Sequence, residues 1–263
     1  MTKKDAQKWF LKILQERVES SAKALLDADG DWVVKGFIDL YEKIYTISAD
    51  TKVVSKLVEL MLYPHFEAMG RENELDIVPC REQNHYPDLT FVHKEGWKFA
   101  VDLKSTYRIS GTKANTMTLG AFTGYFRNRE TTSTTTFPYG DYAGHYVVGV
   151  IYTRKELSKE QFRTWTVKEL KTIPSVVKDL VFFAQPKYRI AIDRPGSGNT
   201  KNIGAVQSIE DLVKGEGPFT KLGEKVFDDY WMNYLTADMA RAAELAKPPY
   251  RNLATYKEFK KIP

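Results

Sequence analysis

The chain has 263 residues, of which 43% are hydrophobic and 28% charged, and its formal net charge is +5. This is the composition of a soluble globular protein with a substantial core and one or two domains, and the charge suits a polyanionic partner only if it clusters on one face. A single cysteine excludes an intramolecular disulfide and a thiolate zinc site, while the lack of a long apolar run or a signal-peptide core predicts no membrane partner and a cytoplasmic location.

The first predicted elements are a long helix and two short strands. Apolar residues recur at spacings of three and four between residues 5 and 29, which predicts one amphipathic helix. The acidic segment 27–31 ends it. Its aspartate spacing resembles the start of a calcium loop, but Ile38 stands where such a loop needs glutamate, so we predict a turn. Aromatic and β-branched residues between 32 and 47 predict the two strands.

A second helix is predicted to follow directly. Asp50 is its N-cap, and an apolar stripe runs from Thr51 to about Met69. Glu59 lies off that stripe. From the pattern alone Glu59 is an ordinary exposed glutamate.

Residues 83–104 are predicted to form a loop followed by a β-hairpin. A proline directly before Asp88 biases its neighbour away from helix, so this aspartate stands where a loop enters a strand. The chain then turns at 94–96 and returns. Because side chains alternate along a strand, Asp102 and Lys104 share one face of the returning strand, and its apolar residues take the other face.

Paired strands would bring two carboxylates and one ammonium group to one end of a sheet. The oxygens of Asp88 and Asp102 suit Mg²⁺, which takes its remaining ligands from water and phosphate. Lys104 could orient or deprotonate a water molecule and offset charge in the transition state. The predicted chemistry is phosphodiester hydrolysis. The alternative is a solvated Asp-Lys pair with no chemical role.

The segment after the hairpin offers hydroxyl and basic groups. Ser105 and Thr106 are either phosphate-positioning donors or ordinary turn residues. Residues 108–140 are rich in glycine and threonine and are predicted to form a mobile surface loop. Its basic residues that could touch phosphates are Lys113, Arg127 and Arg129.

Two further strands and a glycine-rich loop follow. Residues 145–153 and 180–192 read as strands, the first closed by Arg154, and 162–170 is either helix or strand. Residues 194–202 break every periodicity. This loop lacks the Gly-Lys-Ser/Thr of a phosphate-binding Walker loop, and its glycines would let the backbone approach a ligand closely.

Within this loop, Asn199 could pair bidentately with adenine and the Thr200 methyl could meet a thymine methyl. The alternative is a flexible hairpin loop with no ligand. Helices are predicted at 208–214 and 221–245, the second with a core or interface face of aromatic residues, and a solvated basic tail at 251–263.

Two strings point to a known family. Pro87-Asp88 followed by Asp102-Leu103-Lys104 resembles the signature of the PD-(D/E)xK nuclease superfamily. The longer string from Gln83 to Asp88, with residues 196–200 downstream, resembles the EcoRV-type type II restriction endonucleases, and the similarity extends from about Gly36 to about Tyr234. The short signature is weak alone, whereas the two long strings in this order are specific.

The resemblance implies a fold and a division of the chain. The fold is α/β, with a mixed sheet of roughly five strands flanked by helices. Residues 1–50 would supply an N-terminal helix and dimerisation strands, and 51–263 the catalytic and DNA-recognition domain. The activity implied is Mg²⁺-dependent cleavage of duplex DNA at a six-base palindrome, GATATC or a close variant, by a homodimer that leaves blunt ends with 5′-phosphates. A cognate DNA methyltransferase is expected in the same system, without direct contact.

The resemblance also assigns residues. Asp88, Asp102 and Glu59 would bind metal, and Lys104 would assist the water. The residues expected to contact DNA are Lys52, Gln83, Asn84, Ser105, Thr106, Arg154, Gly196, Ser197, Gly198, Asn199, Thr200, Lys201 and Asn202. Lys201 is the visible departure from the family's recognition loop. Two alternatives stay open at this point: a repair or junction nuclease with the same core, and a DNA-binding protein that does not cleave.

Overall fold

A computed structural model describes residues 1–82, 84–156, 163–196 and 201–262. The helices are α1 (Lys3–Ala24), α2 (Thr51–Glu72), α3 (Lys187–Ile190), α4 (Ile209–Lys214), α5 (Glu224–Asn233), α6 (Ala237–Ala242) and α7 (Leu253–Lys260). The strands are β1 (Gly36–Ile38), β2 (Lys43–Thr46), β3 (Leu75–Pro79), β4 (Leu89–His93), β5 (Lys98–Tyr107), β6 (Thr118–Ala121), β7 (Tyr142–Arg154), β8 (Thr164–Thr166), β9 (Val177–Pro186), β10 (Ala191–Pro195) and β11 (Asn202–Ala205).

A five-stranded mixed sheet in the order β3-β4-β5-β7-β9 lies at the centre. The β5–β7 pair is parallel, and the other pairs are antiparallel. This confirms the predicted α/β class. The predicted hairpin is present, with Leu89 of β4 opposite Val101 of β5. Gly96 in its turn has a φ of +87°, a left-handed conformation that favours glycine.

Local hydrogen bonds explain where the first two helices begin and end. The Asp27 carboxylate accepts the N–H groups of Asp29 and Asp31, so the chain leaves α1 in the predicted turn. The Asp50 carboxylate accepts the N–H groups of Lys52 and Val53 at the start of α2, as predicted for an N-cap.

Both faces of the central sheet are covered by apolar side chains. Helices α1 and α2 contribute to the first cluster, in which Phe10 stacks on Phe99 with ring centroids 4.1 Å apart. The second cluster covers the opposite face and includes Ala100, with aromatic side chains from 119–142 and from α5 and α7. Alternate residues of β5 therefore enter different cores.

Residues 108–140 are not a surface loop, and that prediction is wrong. They contain β6 and two short 3₁₀ turns, and Leu119, Phe122 and Phe126 are fully buried. Strand β6 pairs with β11, which pairs with β10, forming a second sheet of three strands. The glycines and threonines of this segment mark tight turns around buried aromatic rings.

A third, small sheet joins β1, β2 and β8. Ile44 of β2 lies opposite Trp165 of β8, and both belong to a small core of their own. Residues 164–166 are thus a strand and Val167–Thr172 a 3₁₀ helix, which resolves most of the ambiguous segment; Phe162 lies outside the described residues. The small sheet includes β8, which lies far beyond residue 50, whereas α1 packs on the central sheet.

The C-terminal third differs from the prediction in three places. The strand predicted at 180–192 is broken by α3, which separates β9 from β10. The single helix expected over 221–245 is instead α5 and α6, because Tyr234 adopts an extended conformation and the Thr236 hydroxyl caps a new helix at Met239 N–H. The basic tail is not simply solvated. It forms α7, which buries Tyr256 against Tyr230 and Tyr250.

None of the helices in the described part of the chain has the length and apolar character that a membrane crossing requires.

Candidate active site

The β4–β5 hairpin brings two carboxylates and one ammonium group to one point. Lys104 Nζ lies 2.7 Å from Asp102 Oδ2 and 3.8 Å from Asp88 Oδ2. The Leu103 N–H donates a hydrogen bond of 2.6 Å to Asp88 Oδ2, which fixes the loop residue against the strand. The structure thus brings Asp88, Asp102 and Lys104 together, as the sequence predicts.

The three groups differ in their access to water. The side chain of Asp102 is 9% exposed, whereas those of Lys104 and Asp88 are 27% and 33% exposed. Asp102 lies on the face of β5 that the second cluster covers, so this face is drier than a strand face open to water. A charge in such surroundings interacts strongly with its neighbours.

Burial and mutual repulsion perturb the site. Burial, together with the nearby charge of Asp102, raises the pKa of Asp88 to about 7. Burial alone would lower the pKa of Lys104, but the negative charges of Asp102 and Asp88 outweigh it and raise this pKa. A protonated ammonium group has no lone pair with which to accept a proton. The geometry therefore favours an electrostatic role for Lys104 over the deprotonation of water.

A cavity of about 60 Å³ opens beside Asp88, on the side of α2. Its lining includes Ser55, Glu59, Asp88, Lys104 and Ser105. Glu59 accepts a hydrogen bond of 2.7 Å from Lys56 on the same helix. Among the residues that the structure describes, no group of three or more His, Cys, Asp or Glu side chains could by itself hold a metal ion. Glu59 borders the cavity, whereas Asp88 and Asp102 both contact the ammonium group of Lys104.

The donor set fits a hard divalent cation. Two carboxylates already converge on the Lys104 nitrogen, so their oxygens can serve a single positive centre. Mg²⁺ usually binds proteins through one or two carboxylates and takes its other ligands from water and phosphate oxygens. Asp88 and Asp102 supply that number of carboxylates.

Two residues expected to contact DNA lie at the start of α2. Arg154, at the end of β7, donates a hydrogen bond of 2.7 Å to the Thr51 hydroxyl, and its guanidinium lies 3.6 Å from the centroid of the Tyr107 ring. Lys52 is exposed in the same helical turn. The structure therefore places two cations at a helix N-terminus, where backbone N–H groups also favour anions.

The hydroxyls of Ser105 and Thr106 have different surroundings. Ser105 donates to Ser55 Oγ at 2.9 Å and lines the cavity. Thr106 is 3% exposed and donates to the carbonyl oxygen of Asn115, so its hydroxyl is directed into the protein. Ser55 escaped the sequence analysis. Its position one helical turn before Glu59 is the signal that could have revealed it.

The expected recognition segment is described only in part. Gln83, Ser197, Gly198, Asn199 and Thr200 lie outside the described residues. Asn84 is exposed in the loop before β4. The N–H of Gly196 donates to the carbonyl of Asn202 at 3.0 Å, and a Cβ at Gly196 would come within 2.9 Å of Thr118 Cγ2. A side chain is thus excluded where the loop leaves β10.

The other basic residues of this region divide into two groups. Lys201 and Lys113 are exposed. Arg127 donates to the carbonyl oxygens of Phe122 and Tyr234, and Arg129 Nη2 lies 2.9 Å from Asp228 Oδ2. The two arginines therefore hold the protein together and do not offer free charge to phosphates.

An aromatic wall that the sequence analysis missed lies behind the site. Tyr86 directly precedes Pro87. Its hydroxyl and His145 Nδ1 form a hydrogen bond of 2.9 Å. Its ring stacks on Tyr125 at 5.0 Å, and the His145 ring stacks on Tyr139 at 3.8 Å. These rings come from three distant segments, so no local pattern joins them.

Comparisons with known proteins agree with this geometry. The family model for the restriction endonuclease EcoRV matches residues 28–261. The chain is also 34% identical, over 239 residues, to the type II restriction enzyme EcoRV from Escherichia coli. That similarity covers 90% of this chain and 94% of the relative.

The aromatic wall generates a prediction about pH. Burial, and then the positive charges of Lys187 and Arg129, lower the pKa of His145 well below its ordinary 6.5. Because the folded pKa is the lower one, the stability contributed by neutral His145 is present above pH 6.5 and is lost as the pH falls. The expected loss approaches about 1.4 kcal/mol per pH unit, or about 2 kcal/mol at pH 5.

His145→Gln removes this titration and keeps a hydrogen-bonding group. Urea unfolding of the metal-free protein at pH 7.5 and pH 5 should show a smaller loss of stability for the variant than for the wild type. His65→Gln, a partly exposed site on α2, is the matched control and should follow the wild type. Equal losses in all three proteins would refute the prediction.

Proposed function

The chain belongs to the EcoRV family of type II restriction endonucleases, and on that premise we propose that it cleaves both strands of DNA at GATATC or a close variant. The cofactor proposed is Mg²⁺, and the products are blunt ends with 5′-phosphates. The observation that carries the proposal is the convergence of Asp88, Asp102 and Lys104 at one point. Metal-binding carboxylates beside a cation are a combination that supports metal-assisted phosphodiester hydrolysis.

The residues of the site divide the chemistry between them. Asp88 and Asp102 would hold Mg²⁺, with Glu59 in support at the edge of the cavity. When bound, the ion would polarise the phosphate and lower the pKa of a bound water. Lys104, protonated and directed at the same point, orients the attacking water and offsets charge that develops on the phosphate. Because this charge grows in the transition state, Lys104 acts on the rate more than on binding.

Recognition and positioning of DNA are proposed for separate groups. Ser105 lines the cavity, and Arg154 contacts Thr51 in the first turn of α2 beside Lys52; these three side chains would hold the backbone phosphates. The segment from Gly196 to Asn202 would read base edges, with Asn199 on adenine and Thr200 on thymine. Lys201 would add a phosphate contact or alter the preference at the outer bases. Gln83 and Asn84, which precede Asp88 in the sequence, would approach the DNA from the side of the active site.

A homodimer is proposed from an exposed apolar surface, the dimer patch, on the β1–β2 hairpin. The side chains of this patch are Phe37 (54% exposed), Ile38 (62%), Leu40 (90%), Tyr41 (79%) and Tyr45 (48%). So many large apolar groups on one hairpin indicate a protein interface. One chain holds one site, and two copies related by a two-fold axis would cut both strands of a palindrome. A cognate methyltransferase and a cytoplasmic location belong to the same proposal.

Digestion of a sequenced plasmid tests the proposed function. With Mg²⁺, the wild type should give discrete bands, and run-off sequencing should place blunt ends in the middle of a six-base palindrome. Lys104→Met should abolish cleavage and leave Ca²⁺-supported binding to the same duplex intact, as a gel shift can show. Damage-dependent nicking by the wild type, or full activity of the variant, would contradict the proposal.

The recognition loop is tested by Asn199→Ala. Loss of a bidentate base contact should weaken specific binding by about 1–3 kcal/mol and leave binding to an unrelated duplex unchanged. Gel shifts with both duplexes in Ca²⁺ measure the two affinities. Unchanged site selectivity would remove the loop from the recognition surface.

The dimer patch is tested by Leu40→Glu. A buried, unpaired carboxylate in the interface should convert the dimer to a monomer that still folds. Light scattering gives the mass, and circular dichroism the fold. Val213→Glu places the same charge on an exposed apolar residue of α4 and should stay dimeric. A monomeric wild type, or a Leu40→Glu dimer, would be the contrary result.

A further inference from the structure

Lys187 is a buried cation without a hydrogen-bond acceptor. It is 2% exposed, and its Nζ has no hydrogen-bond partner among the described residues. Removing an ammonium group from water without pairing it is costly, and an apolar side chain of similar volume would avoid this cost. A buried, unpaired charge of this kind therefore indicates a functional role for the side chain.

Aromatic rings form one side of its surroundings. The ammonium lies 5.0, 5.5 and 5.6 Å from the ring centroids of Tyr86, Phe126 and Tyr139. Cation–π attraction to these rings offsets part of the desolvation cost. Tyr86 is also the residue before Pro87-Asp88, so the cation lies against the segment that delivers a metal-binding carboxylate.

The other side of the ammonium is the second sheet. A Cβ added to Gly120 of β6 would lie 3.6 Å from Lys187 Nζ, so the backbone of β6 passes close to the charge. Ala121 of β6 pairs with Asn202 of β11, and the Phe122 N–H donates to the Lys201 carbonyl at 2.9 Å. Strand β6 therefore supports the second arm of the recognition hairpin, defined as the antiparallel strands β10 and β11.

Lys187 also belongs to the base of that hairpin. It is the first residue of α3, a single helical turn that leads directly into β10 at Ala191. One side chain thus joins the base of the recognition hairpin, the strand that supports its far arm, and the segment before Asp88.

We propose that Lys187 is a positioning residue that couples the recognition hairpin to the Tyr86-Pro87-Asp88 segment. The ammonium group holds Tyr86 in place relative to β6 and α3, so that Asp88 keeps its metal-binding position when the hairpin engages the correct sequence. This inference rests on the proposed function and names a residue that neither the family signature nor the loop contains.

The charge state agrees with this role. Burial lowers the pKa of Lys187 to about 8, an effect that Lys104 and Arg129 reinforce and that Asp102 and Asp228 oppose. The side chain is therefore charged at neutral pH and can make the cation–π contacts. Its interactions with Lys104 and Asp102 also show that it lies within electrostatic reach of the site.

Lys187→Met is the decisive variant, because it keeps the volume and removes the charge. We expect thermal unfolding at the same or a higher temperature, since a buried unpaired charge is gone. We expect unchanged Ca²⁺-supported binding to the cognate duplex. Single-turnover cleavage should slow by about 10- to 100-fold, the effect of a small misplacement in the site. Mn²⁺ should bind the DNA complex more weakly, as electron paramagnetic resonance can measure.

Lys98→Met is the matched control. Lys98 also faces an aromatic ring, with Nζ 5.2 Å from the Phe137 centroid, but it lies at the opposite end of β5 from Lys104. This variant should cleave like the wild type. Lys187→Arg keeps the charge and should cleave at a rate between those of the wild type and Lys187→Met.

The outcomes separate the two proposals. A wild type that does not cleave defeats the proposed function, whatever Lys187 does. A wild type that cleaves, with Lys187→Met equally fast and binding Mn²⁺ equally well, overturns the inference alone. Loss of thermal stability in parallel with activity in both Lys187 variants would also overturn it, because that pattern indicates a purely structural residue.

Discussion

One ammonium group shared by two carboxylates is the interaction on which the site depends. Lys104 can lie between Asp102 and Asp88 only because the hairpin register places a strand residue beside a loop residue, which the Leu103 N–H then holds. A slip of one residue would turn Asp102 and Lys104 to the opposite face, into the cluster around Phe99. The register is secured by burial on both faces of β5, so the core determines the geometry of the site.

The same burial determines how the site would receive a cation. Burial first, and then the negative charge of Asp102, raise the pKa of Asp88, because the single Lys104 ammonium group neutralises only part of the charge of the two carboxylates. Such a pair favours any additional positive charge that can reach it. The cavity beside α2 reaches Asp88, and Lys52 and Arg154 at the first turn of the same helix would suit a phosphate that arrives with the ion. The burial that stabilises the fold therefore also strengthens the electrostatic repulsion between the two carboxylates of the site.

Sequence predicts this protein well where the signals are local. The Asp50 cap, the turn at Asp27 and the β4–β5 hairpin each depend on neighbours within a few residues, and the hairpin brings Asp88 to Asp102 as strand alternation predicts. Residues 108–140 and the C-terminal tail were misjudged because their partners are distant: Phe122 packs on Trp231, and Tyr256 on Tyr230. The aromatic wall and Lys187 were missed for the same reason, since no periodicity links residues so far apart.

The proposed dimer would set the spacing of its two sites through a short connection. Strand β2, in the sheet that carries the dimer patch, ends at Thr46, and α2 begins at Thr51, with Ile47 buried between them. That helix bears Ser55 and Glu59, which line the cavity, and Lys52 in its first turn. Such a short link would leave little freedom between the interface and the scissile phosphate. The position of the cut would then follow from the packing of two chains, while the recognition hairpin selects the sequence in which the cut is made.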